Sequence, residues 1–411
     1  MKFMYFFLPT LPATPEERRA LRPIAHHTER WQRMFEEVVE VTRLAEDLGF
    51  DAVCFPEHHL HTEGLEIGSL PTLYQHVIHR TKHIKVGPIG YVLPGWNPLR
   101  LALEIAWLDQ LTKGRTFVGF ARGYQTRWLN QMAQKIHVGA TTSDKSQTDR
   151  INREAFEEVF HILKLAWGEE PFRFKGKYYE YPYPYEEGTP WLAHQWTREF
   201  GAPGELDEHG RIQKIDVVPK PYQKPHPPLF QAFSMSEETI RWCARENITP
   251  TVLISQPDKV NQFARAYQEE ARSVGRILDF GQGFGVLHAV YTAANREQAK
   301  QIAEAGICGV AFRQFFYHFG FFDAWRTPED EVKYPSSKGL LPASECTIER
   351  MEQAHFTYLG TVADVRREMD LLVETANPEW FVWQGDQGLL PVDEVKRQVE
   401  TFGTKVLPHY K

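Results

Sequence analysis

The 411 residues suffice for one large domain or two smaller ones, and exceed the roughly 250 of a plain eight-stranded α/β barrel. A hydrophobic share of 42% with 25% charged residues excludes a disordered chain, and a net charge of -7 without a dense Lys/Arg cluster argues against nucleic acid or an anionic membrane as partner. Four scattered cysteines, Cys54, Cys243, Cys308 and Cys346, form no C-x-x-C pair, which argues against a zinc ribbon or redox dithiol and fits reduced thiols in the cytoplasm.

The apolar start, Met1 to Leu8, carries only Lys2 and meets Pro9 and Pro12, so it reads as a first strand and not as a leader. From Trp31 the apolar residues Met34, Val38, Val41, Ala45 and Leu48 trace one helix face, and Gly49 follows where a left-handed residue ends a helix. Strand-length runs continue at Asp51 to Phe55 and Ile84 to Leu93. Asn97-Pro98 reads as an N-cap and first helical position, opening a helix through Leu101, Ile105, Leu108 and Leu111 to Gly114. Further strands are expected at Thr116 to Ala121, Pro228 to Phe233, Pro250 to Ile254, Phe284 to Tyr291 and Glu379 to Trp383. Eight strands alternating with helices predict an α/β fold, a single (β/α)8 TIM barrel spanning 1-411. No apolar run approaches the ~18 residues needed to cross a bilayer.

Two stretches break the rhythm and read as insertions. One, at about 169-227, is rich in Tyr, Pro and Gly; the other, at about 306-356, carries Phe312, Phe315, Phe316, Tyr317, Phe319, Phe321, Phe322 and Trp325. Such aromatics pack cores and subunit contacts, or they form a lid and pocket for an apolar substrate, with Trp191/Trp196 and Phe315/Phe316 as candidate walls.

In a barrel of this kind the active site forms at the carboxyl ends of the strands. Past the second strand stands Glu57-His58-His59-Leu60-His61, which reads as a metal cluster, as plain loop histidines, or as catalytic groups; the i, i+4 helix pair of zinc proteases is absent, so no metal site is expected. Past the fourth stands Ala121-Arg122-Gly123-Tyr124, where Arg122 either clamps a phosphate or pairs with a carboxylate. Past the fifth, Ser234-Met235-Ser236-Glu237 opens a helix, either as an anion site or as a capping box with Ser234 as the cap and Glu237 three residues on. Gln384-Gly385-Asp386 follows the eighth strand. No G-x-G-x-x-G dinucleotide fingerprint is visible.

Several blocks in order resemble bacterial luciferase and its flavin-dependent monooxygenase relatives. They are Met1-Lys2-Phe3, Leu48-Gly49-Phe50-Asp51-Ala52-Val53 into Glu57-His58-His59, Val86 through Leu93-Pro94 and Asn97-Pro98-Leu99-Arg100 to Gly114-Arg115, Gly119-Phe120-Ala121-Arg122-Gly123, and the tail from Gly388-Leu389-Leu390-Pro391 to Val406-Leu407-Pro408. The resemblance implies an enzyme that binds reduced FMN supplied by a separate flavin reductase, reacts it with O2 to a C4a-peroxyflavin, and oxygenates a small, apolar or aromatic substrate. It also implies a homodimer. By position, His58 matches the catalytic histidine, with Glu57 and His59 beside it; Ile89-Gly90 matches a segment beneath the flavin ring where a non-proline cis peptide is typical; Ala121, Arg122, Gly123, Tyr124, Ser234, Met235 and Ser236 match cofactor contacts.

The chain also departs from that pattern. Ala121 stands where luciferase has a cysteine, Phe233-Ser234 where Glu-Ser is frequent, and Glu237 and Glu238 crowd the first turn of the phosphate-side helix. A deazaflavin (F420)-dependent oxidoreductase and a non-catalytic flavin-binding protein are the alternatives within the same resemblance.

Overall fold

Strands buried on both faces need apolar residues at every position, not at alternate ones, and that is how they read here: Ala52-Val53-Cys54-Phe55 and Trp380-Phe381-Val382-Trp383-Gln384 have no exposed member. The structure is a computed structural model, described for residues 1-65, 68, 71-141 and 144-411. The chain divides into two compact units, 1-90 with 229-411, and 91-228.

The first unit carries the strands β1 (Lys2–Phe6), β2 (Ala52–Phe55), β3 (Lys85–Pro88), β4 (Leu229–Ser234), β5 (Thr249–Val252), β6 (Gly285–Thr292), β7 (Thr357–Gly360) and β8 (Trp380–Gln384). Within the unit they lie in the order β3-β2-β1-β8-β6-β5-β4, with β7 paired to β6. The pairings are parallel, so their carboxyl ends share one edge. Register decides which side chains share a face. Tyr5 pairs with Trp383, and Phe6 with Gln384. Phe3, Phe381 and Trp383 turn to the helix Val392–Lys405, whose Phe402 ring lies 5.8, 5.9 and 5.0 Å away. Met4, Phe6, Val382 and Gln384 therefore face the other way, and the Phe6 ring meets Phe233 at 5.8 Å.

Helix ends follow local chemistry. Thr28–Asp47 stops before Gly49, which adopts φ +88. The expected capping box at Ser234 is corrected: Ser236 is the N-cap of Glu237–Glu246, its hydroxyl accepting from the Thr239 amide at 3.3 Å. Ser234 is still the last residue of β4, so its backbone belongs to the ladder and the helix opens two residues later.

β7 was not legible in the sequence. Its four residues follow directly on the second aromatic stretch and are too few to show a period, yet all are buried because they extend the ladder along the second half of β6. That aromatic stretch is a chain of short helical turns, including a π-helical turn at Cys308–Phe312. Its rings pack inward: Phe312 lies 5.1 Å from both Phe316 and Phe356, and Phe316 lies 5.0 Å from Phe321.

The second unit pairs Tyr91–Val92 with Val118–Ala121 in parallel. Its helix Pro98–Thr112 is capped as expected, Asn97 accepting from the Arg100 amide at 3.1 Å. A core of Val92, Trp128, Leu129 and Val138 is completed by Ala155 of the helix Gln147–Trp167. The expected single strand over Ile84 to Leu93 is split, β3 ending at Pro88 and Tyr91–Val92 forming its own short strand. The first aromatic stretch forms two small antiparallel pairs and one short helix, His194–Phe200.

Candidate active site

His58 follows β2 at the carboxyl edge of the first unit and is 6% exposed. Its neighbours are tied locally: Glu57, buried, meets His59 Nε2 at 2.9 Å, and His61 Nδ1 lies 3.4 Å from Glu63. The His58 and His61 rings are 6.4 Å apart, and Phe315 of the second aromatic stretch sits edge-on to His61 at 5.8 Å. Among the described residues no group of three or more His, Cys, Asp or Glu side chains converges as metal ligands. One row further along the sheet, the peptide between Ile89 and Gly90, just past β3, is cis.

At the end of β4, Ser234 pairs with Val252 on the outward row and its hydroxyl lies beside the buried Cys243 thiol of the following helix. The side chain thus faces the helix layer, while Met235 and Ser236 are exposed. Glu237 does not oppose an anion there: it binds Arg241 and Gln262, which hold its carboxyl below the usual range.

In the second unit, Arg122 takes the carboxylate-pairing alternative. Its Nη2 lies 2.5 Å from Asp149 Oδ1, and its Nε donates to Asn152 Oδ1 at 3.1 Å. Burial lowers the Arg122 pKa, and the neighbouring Asp149 counters that shift. Gly123 follows with φ +79, where an added Cβ would come within 2.4 Å of Val92 Cγ1; no other residue fits without moving that core. Ala121 ends the strand and Tyr124 accepts from Gln125 Nε2 at 3.1 Å.

Sequence reasoning placed Gln384 and Asp386 beyond the last strand but gave them no role. Gln384 is 2% exposed, faces the inner row with Phe6, and its Nε2 has no partner among the described residues. A buried unpaired donor is costly, so such a group points to a ligand. Asp386 is fully enclosed, and burial pushes its carboxyl up to about 7. It accepts from Tyr291 Oη at 2.9 Å and from the Ile307 amide, the residue that opens the second aromatic stretch. Their position at the end of a barrel strand and just past it was the available signal. The expected pocket walls divide: Phe315 reaches the histidine loop, whereas Trp191 and Trp196 are 43% and 69% exposed.

No helix among the described residues is long and apolar enough to cross a membrane. The family model for luciferase-like monooxygenases matches residues 1-376. The chain is 26% identical over 287 residues to 3,6-diketocamphane 1,6-monooxygenase of Pseudomonas putida, covering 68% of this chain and 70% of that one. Among solved structures it is similar to the oxygenating constituent of the 3,6-diketocamphane monooxygenase of Pseudomonas putida, a type II Baeyer-Villiger monooxygenase in complex with FMN, with a TM-score of 0.69, 20% identity, and 99% and 98% of the two chains covered. It is also similar to the coenzyme F420 dependent tetrahydromethanopterin reductase of Methanopyrus kandleri, with a TM-score of 0.60, 15% identity, and 100% and 99% covered. These likenesses give the fold as the α/β barrel of luciferase-like proteins. The chain is therefore a member of the luciferase-like monooxygenase family.

Proposed function

We propose that the protein is the oxygenase component of a two-component, FMN-dependent monooxygenase acting on a small apolar cyclic or aromatic substrate. The observation that carries this reading is the carboxyl edge of the first unit, which bears buried His58, the Ile89-Gly90 segment and Gln384, whose Nε2 has no hydrogen-bond partner among the described residues. The family match and the FMN complex of a structural neighbour support the cofactor. Reduced FMN supplies the two electrons with which O2 is split between substrate and water.

The residues of the chain do the rest. His58 holds or moves a proton at its ring nitrogen, on the loop that follows β2. Glu57 and His59, paired at 2.9 Å, fix the backbone on which His58 stands. Ile89-Gly90 offers a backbone without a bulky side chain at Gly90, suited to a flat ring. Met235 and Ser236 present exposed backbone at a helix start, where an anion is favoured, and Arg241 offsets the charge of Glu237 there. For Arg122, with Nε and Nη2 held by Asn152 and Asp149, Nη1 is the nitrogen assigned to an anion. Ala121, Gly123 and Tyr124 are assigned to the cofactor on the resemblance.

The test is a titration of the purified chain with reduced FMN in the absence of air, followed by mixing with O2 and a cyclic ketone. Binding of reduced FMN and O2-dependent product are expected, with turnover lowered by roughly 10²-fold or more in His58→Ala at retained FMN affinity. Binding of reduced F420 in place of FMN, with no O2 uptake, would make the protein a deazaflavin oxidoreductase instead. Unchanged FMN affinity in Arg122→Ala would remove that residue from the cofactor site.

A further inference from the structure

We infer that Asp386 is a positioning residue: its protonated carboxyl latches the root of the second aromatic stretch to β6 and β8, and with it the Phe315 ring beside the histidine loop, and ionisation of that carboxyl loosens the stretch. The bearing of this latch on oxygenation rests on the function proposed above; the latch itself does not.

The latch is built by close approaches within the first unit. Asp386 stands two residues past the end of β8, where the Gly385 amide donates to the Phe6 carbonyl at 2.9 Å and the Leu389 amide to the Asp386 carbonyl at 3.2 Å, so the backbone bearing the carboxyl is fixed. One carboxyl oxygen, Oδ1, accepts both from Tyr291 Oη of β6 at 2.9 Å and from the Ile307 amide. Gly306 permits the second contact: an added Cβ would come within 2.3 Å of that oxygen and 3.0 Å of Tyr291 Oη. Ile307 leads into the π-helical turn Cys308–Phe312, and Cys308 Sγ lies 3.4 Å from Thr357 Oγ1 of β7. The Val310 amide donates to the Gly306 carbonyl at 2.9 Å and the Phe315 amide to the Ala311 carbonyl at 3.0 Å. One helical run therefore carries a displacement at Ile307 to Phe315, whose ring is 5.8 Å from His61.

Charge makes the latch depend on a proton. The titratable groups that face the carboxyl are Tyr5 of β1, Tyr291 of β6, Cys308 of the turn and Glu394 of the helix Val392–Lys405, and Glu304 stands near the Cys308 thiol. None of these five is a cation. Arg397 is paired with Glu394 at 2.6 Å, and Arg313 with Glu304. Burial pushes both phenols and the thiol upward, so they are neutral near pH 7, and it lifts the Asp386 carboxyl to about 7. A carboxylate formed there meets no countercharge in this set and is relieved by hydration, which requires the stretch to open. A hydrated carboxyl titrates near the ordinary 3.8, so opening becomes easier as pH rises from about 4 to about 7 and levels off above that.

The experiment is hydrogen–deuterium exchange of the full chain without flavin from pH 5 to pH 8, read by mass spectrometry over 307–319 and corrected for the intrinsic pH dependence of exchange. The opening constant of that segment is expected to rise roughly tenfold or more between pH 5 and pH 7 and then to level off, while the helix Pro257–Ser273 changes less than about twofold. Asp386→Asn should abolish the rise. Tyr291→Phe removes a donor that favours the carboxylate and should move the levelling-off point upward by about half a pH unit or more. Corrected exchange that is independent of pH in the wild type overturns the inference, as does an equal rise in Asp386→Asn or in Pro257–Ser273. If Asp386→Asn loses its circular dichroism, Tyr291→Phe decides, and a levelling-off point that does not move upward overturns the inference. Failure of the wild type to bind reduced FMN would overturn the function proposed above and leave these results, obtained without flavin, standing.

Discussion

The two aromatic stretches look alike in composition and differ in what their rings do. In 306-356 the rings of Phe312, Phe316, Phe321, Phe322, Trp325 and Phe356 are buried and pack on one another, and Phe321 packs on Phe233 of β4. In 169-227, Trp191, Trp196 and Phe200 are exposed, and Trp196 and Phe200 cover each other at 4.4 Å. Local fixation by hydrogen bonds explains how exposed rings stay ordered: Trp191 Nε1 donates to Thr197 Oγ1 at 2.8 Å. An aromatic run thus marks a core only where a second apolar surface lies within reach of the chain.

The contrast is broken most directly by Trp325→Ala. Removing a ring that is 1% exposed should cost about 3–5 kcal/mol, read as a lowered urea midpoint. A midpoint shift worth under about 1 kcal/mol would mean that the second stretch is not part of the core.

Asp386 tests how that stretch is anchored. Its carboxyl titrates near 7 in the folded chain against an ordinary 3.8, so the folded state keeps the proton longer. The stability this group contributes is fully present below about pH 4 and is lost as pH rises through about 7. Asp386→Asn keeps an acceptor for Tyr291 and Ile307 without a charge. It should flatten the decline of Tm between pH 4 and 7 and add on the order of 3 kcal/mol at pH 8. An unchanged Tm–pH curve would show that Asp386 is ionised in the fold.

A smaller loss, about 2 kcal/mol, is expected for Arg350→Ala. Its guanidinium holds Asp330 at 2.5 and 3.0 Å and Glu345 at 3.0 Å within the same stretch, and Asp330 is left mostly buried without it. A loss below about 0.5 kcal/mol in denaturant melts would class the pairs as surface ones. The least effect falls in the other stretch. Trp196→Ala should move stability by under about 0.5 kcal/mol, and a loss above about 2 would show the exposed pair to be structural.

Helix positions and most strands were legible in the sequence because each is set by neighbours in the chain. Asn97-Pro98 and Gly49 mark helix ends by their own backbone chemistry, and strands such as Ala52–Phe55 are continuously apolar. The site was legible only as an edge. His58 was placed past its strand, but Ile89-Gly90 was placed inside a strand that ends at Pro88 and Ser234 past a strand of which it is the last residue; a one-residue step in register turns a side chain to the opposite face, and no local pattern reports that step. The shift between Gln231 and Ser234 set the Ser234 hydroxyl beside Cys243, and register likewise set Gln384 inward.

By itself the sequence determined the family, the alternation of strands and helices, and which loops bear polar groups, since backbone preference and burial pattern are written residue by residue. Tertiary structure alone decided that Arg122 is held by Asp149, that one aromatic stretch is core and the other surface, and that Trp31, Leu73 and His58 wall one cavity. Those outcomes depend on distances between segments far apart in the chain, and packing against a partner sets them.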